Sequence, residues 1–214
     1  MASSTPPCRT ADEFRKCTDV SRETLDRLIA HAETLTRWQA RINLVGPSTL
    51  PALWHRHFLD SAQLVPHLPP DSGRPILDFG SGAGFPGLVL AIMSGRPVHL
   101  VESDTRKAAF LREAARAAGV SNRVTIHATR VERLPPLSAG TITARALAGL
   151  PQLLDWAAPH ASDGAVCLFL KGKRYHEELT EANYAWYINS DTVPSATDPD
   201  AVLLRITEFH RREE

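Results

Sequence analysis

Residues 76–90, ILDFGSGAGFPGLVL, constrain the fold more tightly than any other stretch of the chain. An apolar run of strand length leads into Gly80, Gly82 and Gly84, and Pro86 follows as a natural first residue of a helix. Strand, tight glycine turn and helix in succession open a parallel α/β sheet, with a ligand site beyond the carboxyl end of the strand. The glycines admit two registers. Gly80, Gly82 and Gly84 spell GxGxG, the turn of S-adenosylmethionine enzymes, whereas Gly82, Gly84 and Gly87 spell GxGxxG, the dinucleotide fingerprint. Asp78 favours the first. A fixed carboxylate about 4 Å from a pyrophosphate costs on the order of 4 kcal/mol at an effective dielectric of about 20, but the same carboxylate attracts an ammonium and a sulfonium. Asp78, Gly80 and Gly82 are therefore cofactor-binding candidates, and Gly87 is expected to allow close helix packing. Glu102 closes the next strand roughly twenty residues on, where an acidic side chain accepts hydrogen bonds from ribose hydroxyls of either cofactor.

Around this unit, short apolar runs alternate with helical ones. PILDF, PVHLVE, RVTIH, TITAR and GAVCLFLKG read as strands; the segment from Pro86, TRKAAFLREAARAAG and LPQLLDWAA read as helices. The expected class is α/β, a Rossmann-like, mainly parallel sheet with helices on both faces, and YAWYI and AVLLRITEF pair antiparallel at its edge. Upstream, Leu25, Leu28, Ile29, Ala32, Leu35, Trp38 and Ile42 recur at helical spacing from an N-cap at Ser21 to Gly46-Pro47. A second helix is expected from Pro51 through LWHRHFLDSAQLV. The proline-rich PHLPPDSGRP then marks a boundary. The organisation expected is a disordered start over residues 1–18, a helical cap over 19–72 and a catalytic domain over 73–214.

Composition narrows the function classes. Lys plus Arg equals Asp plus Glu at 24 each, which excludes a wholly basic nucleic-acid coat and leaves local patches open. The three cysteines form no C-x-x-C pair, so neither a disulfide framework nor a zinc site is suggested and no metal is expected. No apolar run approaches the roughly 20 residues needed to cross a bilayer, so the expectation is a cytoplasmic protein without membrane contact, as a monomer.

Several stretches resemble one family, the glucose-inhibited-division B methyltransferases: RWQARINLV, WHRHFLDS, LDFGSGAGFPG, RVER with TARA, LKGKRYHEEL and TDPDAVLLRI. The resemblance implies a class I S-adenosylmethionine-dependent methyltransferase with an N-terminal helical cap, acting on guanine N7 of small-subunit (16S) ribosomal RNA, free or in a small-subunit precursor. It implies cofactor contacts at Gly80, Phe85, Val131, Glu132 and Arg145, with Glu102 at the ribose. Arg145, ending the fourth strand, is expected to hold either the cofactor carboxylate or an RNA phosphate. The family often has Trp-Asn where this chain has Trp38-Gln39, and an acidic residue where this chain has Gly140-Thr141, so no acid/base residue is assigned there. Catalysis is expected from Arg145 and Lys171 by positioning alone.

Lys171, Lys173 and Arg174 lie in LKGKRYH after the fifth strand, where positive charge and the Tyr175 ring suit RNA, or an ordinary solvated loop. Arg37, Arg41, His55 and Arg56, with Arg211 and Arg212, extend this track or form a solvated face. His57 and Asp60, three apart, bond each other or Asn43, either as a rim over the pocket or as a brace between cap and catalytic domain. Two rivals remain: the same cofactor with a small-molecule or protein acceptor, and a nucleotide-binding module in the GxGxxG register.

Overall fold

A computed structural model of the chain describes residues 8–213. Seven strands form one sheet: β1 (Ile76–Phe79), β2 (Val98–Val101), β3 (Val124–His127), β4 (Ala139–Arg145), β5 (Ala161–Lys171), β6 (Trp186–Pro194) and β7 (Val202–Arg211). They lie in the order β3-β2-β1-β4-β5-β7-β6. Strands β1 to β5 are parallel, and β7 runs antiparallel to both its neighbours, which gives the expected mainly parallel sheet with an antiparallel edge. Chain order reverses between β1 and β4, so a crevice opens at the carboxyl ends of these strands.

Alternation along β1 divides the two cores. Ile76 packs with α4 (Gly87–Ser94) and α5 (Thr105–Ala117) on one face, whereas Leu77 and Phe79 pack with α6 (Leu150–Ala157) on the other. Helix α7 (Tyr175–Ala185) joins the second face through Ala182. The LKGKRYH stretch is thus the end of β5, a three-residue turn and the first two residues of α7.

The cap departs from the expected pair of helices in three places. Its start is ordered well before residue 19: α1 (Ala11–Thr18) is held by a capping box between Thr10 and Glu13 and buries Phe14 completely, while residues 1–7 lie outside the described residues. Helix α2 (Arg22–Gln39) stops well short of Gly46, because the Gln39 carboxamide accepts from Leu44 N and Val45 N and donates to Val45 O, organising a turn. The second expected helix is a chain of short pieces: a 3₁₀ turn (Pro47–Ala52), a wide π turn (Trp54–Leu59) and a last α turn, α3 (Asp60–Ala62). Pro51, inside the first of these pieces, lacks the N–H group that a regular helix continuing from Pro47 would use there. The wide turn aims Arg56, His57 and Asp60 at the crevice.

Cap and sheet share one apolar cluster, in which Leu28, Leu35 and Phe58 meet Leu88 and Phe110. His31 gives this packing a direction. From α2 its Nε2–H donates to Ala83 O at 2.8 Å in the glycine turn, and its ring stacks on Phe85 with centroids 5.1 Å apart. Nδ1 has no partner among the described residues. Burial therefore lowers the His31 pKa from 6.5 to about 4. Between these values the unfolded chain binds a proton that the folded chain does not, so stability is complete above pH 6.5 and falls as pH drops through the window. Asp78 works with the opposite sign, since burial pushes its carboxyl up to about 6. His31→Phe is expected to lower stability at pH 7 yet remove roughly 2 kcal/mol of the pH dependence between pH 6.5 and 5, measured by urea unfolding.

Candidate active site

At the carboxyl ends of β1, β4 and β5 a cavity of about 440 Å³ opens between sheet and cap. The glycine turn contributes Gly80, Gly82 and Phe85, and the strand ends contribute Arg145, Leu170 and Lys171. Thr49, Arg56, His57 and Asp60 come from the cap, and Ser195, Thr197 and Asp198 from the connection between β6 and β7.

Most backbone donors of the turn already have acceptors, while Gly80 N and Ala83 N have none among the described residues. Gly82 N donates to Glu102 Oε2 at 2.9 Å, Gly84 N and Phe85 N both reach Ser81 O, and Gly87 N meets Asp78 Oδ2 at 3.2 Å. Pro86 has none to offer. At the helix start itself Gly87 N is taken by Asp78 and Leu88 N by Gly84 O, so a pyrophosphate seated there would find its usual donors occupied, which disfavours the dinucleotide register. Gly87 is the packing glycine expected: a Cβ there would lie 2.7 Å from Asp78 Cβ. Gly80 has φ of 63°, and a Cβ on it would lie 2.6 Å from Leu147 Cδ1.

Asp78 needs correction as a direct cofactor ligand. It is fully buried, does not line the cavity, and accepts from Thr143 Oγ1 at 2.7 Å as well as from Gly87 N. Its carboxylate fixes β1 to β4 and to the helix start instead of facing the ligand. Glu102, also mostly buried, takes Gly82 N and Asp104 N, one on each oxygen.

Arg145 is clasped by the cap. Its Nη1 donates to Arg56 O and to Asp60 Oδ2, each at 3.2 Å, and Nη2 donates to His57 Nδ1 at 3.0 Å. His57 must then be neutral with its proton on Nε2, which donates to Thr49 Oγ1 at 2.8 Å. Burial first, then the charges of Arg145 and Arg56, lower the His57 pKa to about 3. Asp60 Oδ1 accepts from Thr197 Oγ1 at 2.7 Å, tying in the connection between β6 and β7. His57 and Asp60 thus meet through Arg145 and bond neither each other nor Asn43. The guanidinium also lies over the Phe85 ring, 5.2 Å from its centroid.

Lys171 is corrected as an exposed RNA contact. Its side chain is buried, donates to Ala148 O at 3.0 Å and pairs with Glu178 of α7, which also accepts from Leu150 N at 2.8 Å. Arg56 is on the cavity wall, and the basic candidates that follow lie off it. Lys173 lines a neighbouring groove with Tyr175, exposed Arg174 pairs with Glu177, and Arg37 and Arg41 stand on the outer side of the cap. Arg211 pairs with Asp155 and Arg212 with backbone carbonyls. Val131 and Glu132 form a 3₁₀ turn after β3, beside a separate depression bounded by Asp104, Arg106 and Arg130.

Sequence reasoning missed His31, Thr49, Glu178 and Asp198. His31 carried a signal, a lone imidazole on the apolar face of α2 beside Leu28 and Leu35. Among the described residues no cluster of His, Cys, Asp or Glu is placed to hold a metal ion, and no helix is long and apolar enough to cross a membrane.

The fold is shared with solved structures, a SAM-dependent methyltransferase among them. Cofactor-bound Rv0187 from MTB aligns with a TM-score of 0.62 at 15% identity, covering 95% of this chain and 98% of its own. A SAM-dependent O-methyltransferase from Thermotoga maritima gives 0.59 at 16%, covering 86% and 73%. Curated relatives lie far nearer in sequence. Ribosomal RNA small subunit methyltransferase G of Paramagnetospirillum magneticum is 53% identical over 94% of this chain and 96% of its own, and that of Gluconobacter oxydans is 49% identical over 91% and 98%. Residues 24–201, which include both the glycine turn and the Ser195–Asp198 wall, match the GidB family, and the chain belongs to that family of rRNA small subunit methyltransferase G enzymes.

Proposed function

We propose that the chain transfers a methyl group from S-adenosylmethionine to N7 of a guanosine in small-subunit ribosomal RNA, acting in the cytoplasm as a monomer. The carrying observation is that the family match spans every wall of one cavity, from the glycine turn to Asp198. The residues fit the cofactor: the N–H groups of Gly82, Gly84, Phe85 and Gly87 are internally satisfied, which suits a ligand without phosphate at the helix start, and each Glu102 oxygen keeps a lone pair for a ribose hydroxyl. Gly80, Gly82, Phe85, Glu102, Val131, Glu132 and Arg145 would hold it. When bound, S-adenosylmethionine supplies an electrophilic methyl group on a sulfonium.

The chain's own residues then need only to align the acceptor. Guanine N7 carries a free lone pair at neutral pH, so no proton has to be removed. Neutral His57 already gives its Nδ1 lone pair to Arg145, and Asp78 lies under the turn; neither is a base for this reaction. Alignment alone supplies roughly 7 to 11 kcal/mol of barrier reduction. Arg145 holds the cap at a fixed height above the turn, and Lys171 braces the floor through Glu178.

Borohydride and aniline cleavage at N7-methylguanosine is expected to mark one site in small-subunit RNA from cells with the gene and to be absent from cells without it. An unchanged pattern overturns the proposal. As a brace, Lys171→Met is expected to cost about 3 kcal/mol by leaving Glu178 without its cation. Adding Glu178→Gln, which keeps an acceptor for Leu150 N, should recover more than half of that in urea unfolding, with single-turnover methylation within about threefold of the parent.

A further inference from the structure

The outer wall of the cavity carries an ion pair that the methyl-donor side does not use. Arg56 Nη1 donates to Asp198 Oδ2 at 3.1 Å across 142 residues of sequence. Its side chains are 43% and 35% exposed, against 18% and 15% for Arg145 and Asp60 deeper in the cavity.

Hydrogen-bond capacity separates the two carboxylates. Asp60 accepts from Arg145, Thr197 and Gln63, filling most of a carboxylate's roughly four acceptor sites. Asp198 accepts from Arg56 and Asp200 N, which leaves about half of its sites open and holds its carboxyl below the usual range, as an acceptor only. Arg56 gives one side-chain N–H to the pair and keeps the others.

Placement follows from the sheet. Strands β1 and β7 are separated by β4 and β5, three steps of about 4.8 Å, so the start of β7 lies roughly 14 Å from the glycine turn. The floor between them is made of Arg145 and Lys171, whose charges are already paired. That span suits the reacting end of a methyl donor followed by one planar base.

Guanine presents N1–H and N2–H donors beside the O6 acceptor on one edge, and N7 on the neighbouring edge, next to O6 and away from the two donors. A carboxylate next to a guanidinium is the complement of that first edge. Adenine offers an acceptor at N1 and a donor at the exocyclic position, which mismatches both groups. Resting on the guanosine-N7 reading above, we propose that Asp198 and Arg56 recognise the target base as guanine, Asp198 accepting from N1–H and N2–H and Arg56 donating to O6, so that N7 faces the glycine turn.

The test uses small-subunit RNA with guanosine or inosine at the mapped position, inosine lacking only the N2 amino group. The full-length parent is expected to prefer guanosine about tenfold or more in kcat/KM, and to show the same preference in RNA affinity by fluorescence anisotropy without methyl donor. Asp198→Ala should lower guanosine methylation roughly ten- to a hundredfold and bring the guanosine-to-inosine ratio close to one in both measurements. Arg56→Gln should weaken both substrates alike, because both carry O6. Unchanged S-adenosylhomocysteine affinity and urea midpoint report an intact fold, and Asp198→Asn serves if the alanine variant does not fold. Retention of the parental ratio by the Asp198 variant overturns the inference. A parent that methylates no guanosine N7 overturns the functional reading instead.

Discussion

Three separate stretches of chain meet at the Arg145 guanidinium, and the cavity exists because they do. It extends from the end of β4 and is held by His57, Asp60 and the Arg56 carbonyl of the cap. Asp60 passes the connection on to Thr197, between β6 and β7. Apolar contact between cap and sheet is extensive but has no direction, so it would allow the cap to slide over α4 and α5. Directed hydrogen bonds fix the register of that contact. The π turn in the cap belongs to the same arrangement, because it brings Arg56, His57 and Asp60 to one side within a few residues.

The electrostatics of the site are those of matched pairs. Arg145 faces Asp60, Lys171 faces Glu178 and Arg56 faces Asp198, so each cation on the cavity wall has its own anion. Such a wall neither repels a cationic methyl donor nor draws RNA phosphate deep inside. Lys173, Arg37 and Arg41 instead stand on the surrounding surface, where charges remain hydrated. Depth and charge are thereby separated: paired charges set the geometry of the inner wall, and hydrated ones stand outside it.

Local patterns in the sequence carried most of the sheet. Strands β1 to β5 are short apolar runs between turn residues, and helices α4, α5 and α6 have apolar faces at helical spacing, so each was readable alone. Helix α7 was not, because it buries only Ala182 and its remaining residues resemble a polar loop. Helix α1 hides behind a Ser-, Thr- and Pro-rich start, although Thr10 and Glu13 have the spacing of a capping box. Asp78 shows how a sound conclusion can rest on the wrong contact. Two-residue alternation puts it on the same side as Ile76, beneath the helix, and that face decides what the carboxylate touches. Pairings such as Arg145 with Asp60 and Arg56 with Asp198 join residues 85 and 142 positions apart, and only the three-dimensional register brings them together.

The occupied helix start bears on competition inside a cell. Adenosine is the common handle of ATP, NAD and S-adenosylmethionine, and a site that recognised adenosine alone would be contested by all three. Phosphorylated nucleotides gain much of their affinity from free backbone N–H groups at a helix start. Here Asp78 holds Gly87 N and Gly84 O holds Leu88 N at the start of α4 before any ligand arrives. Part of the discrimination against the phosphorylated pool is therefore written into the folded helix start, and that part requires no side chain to clash with a phosphate.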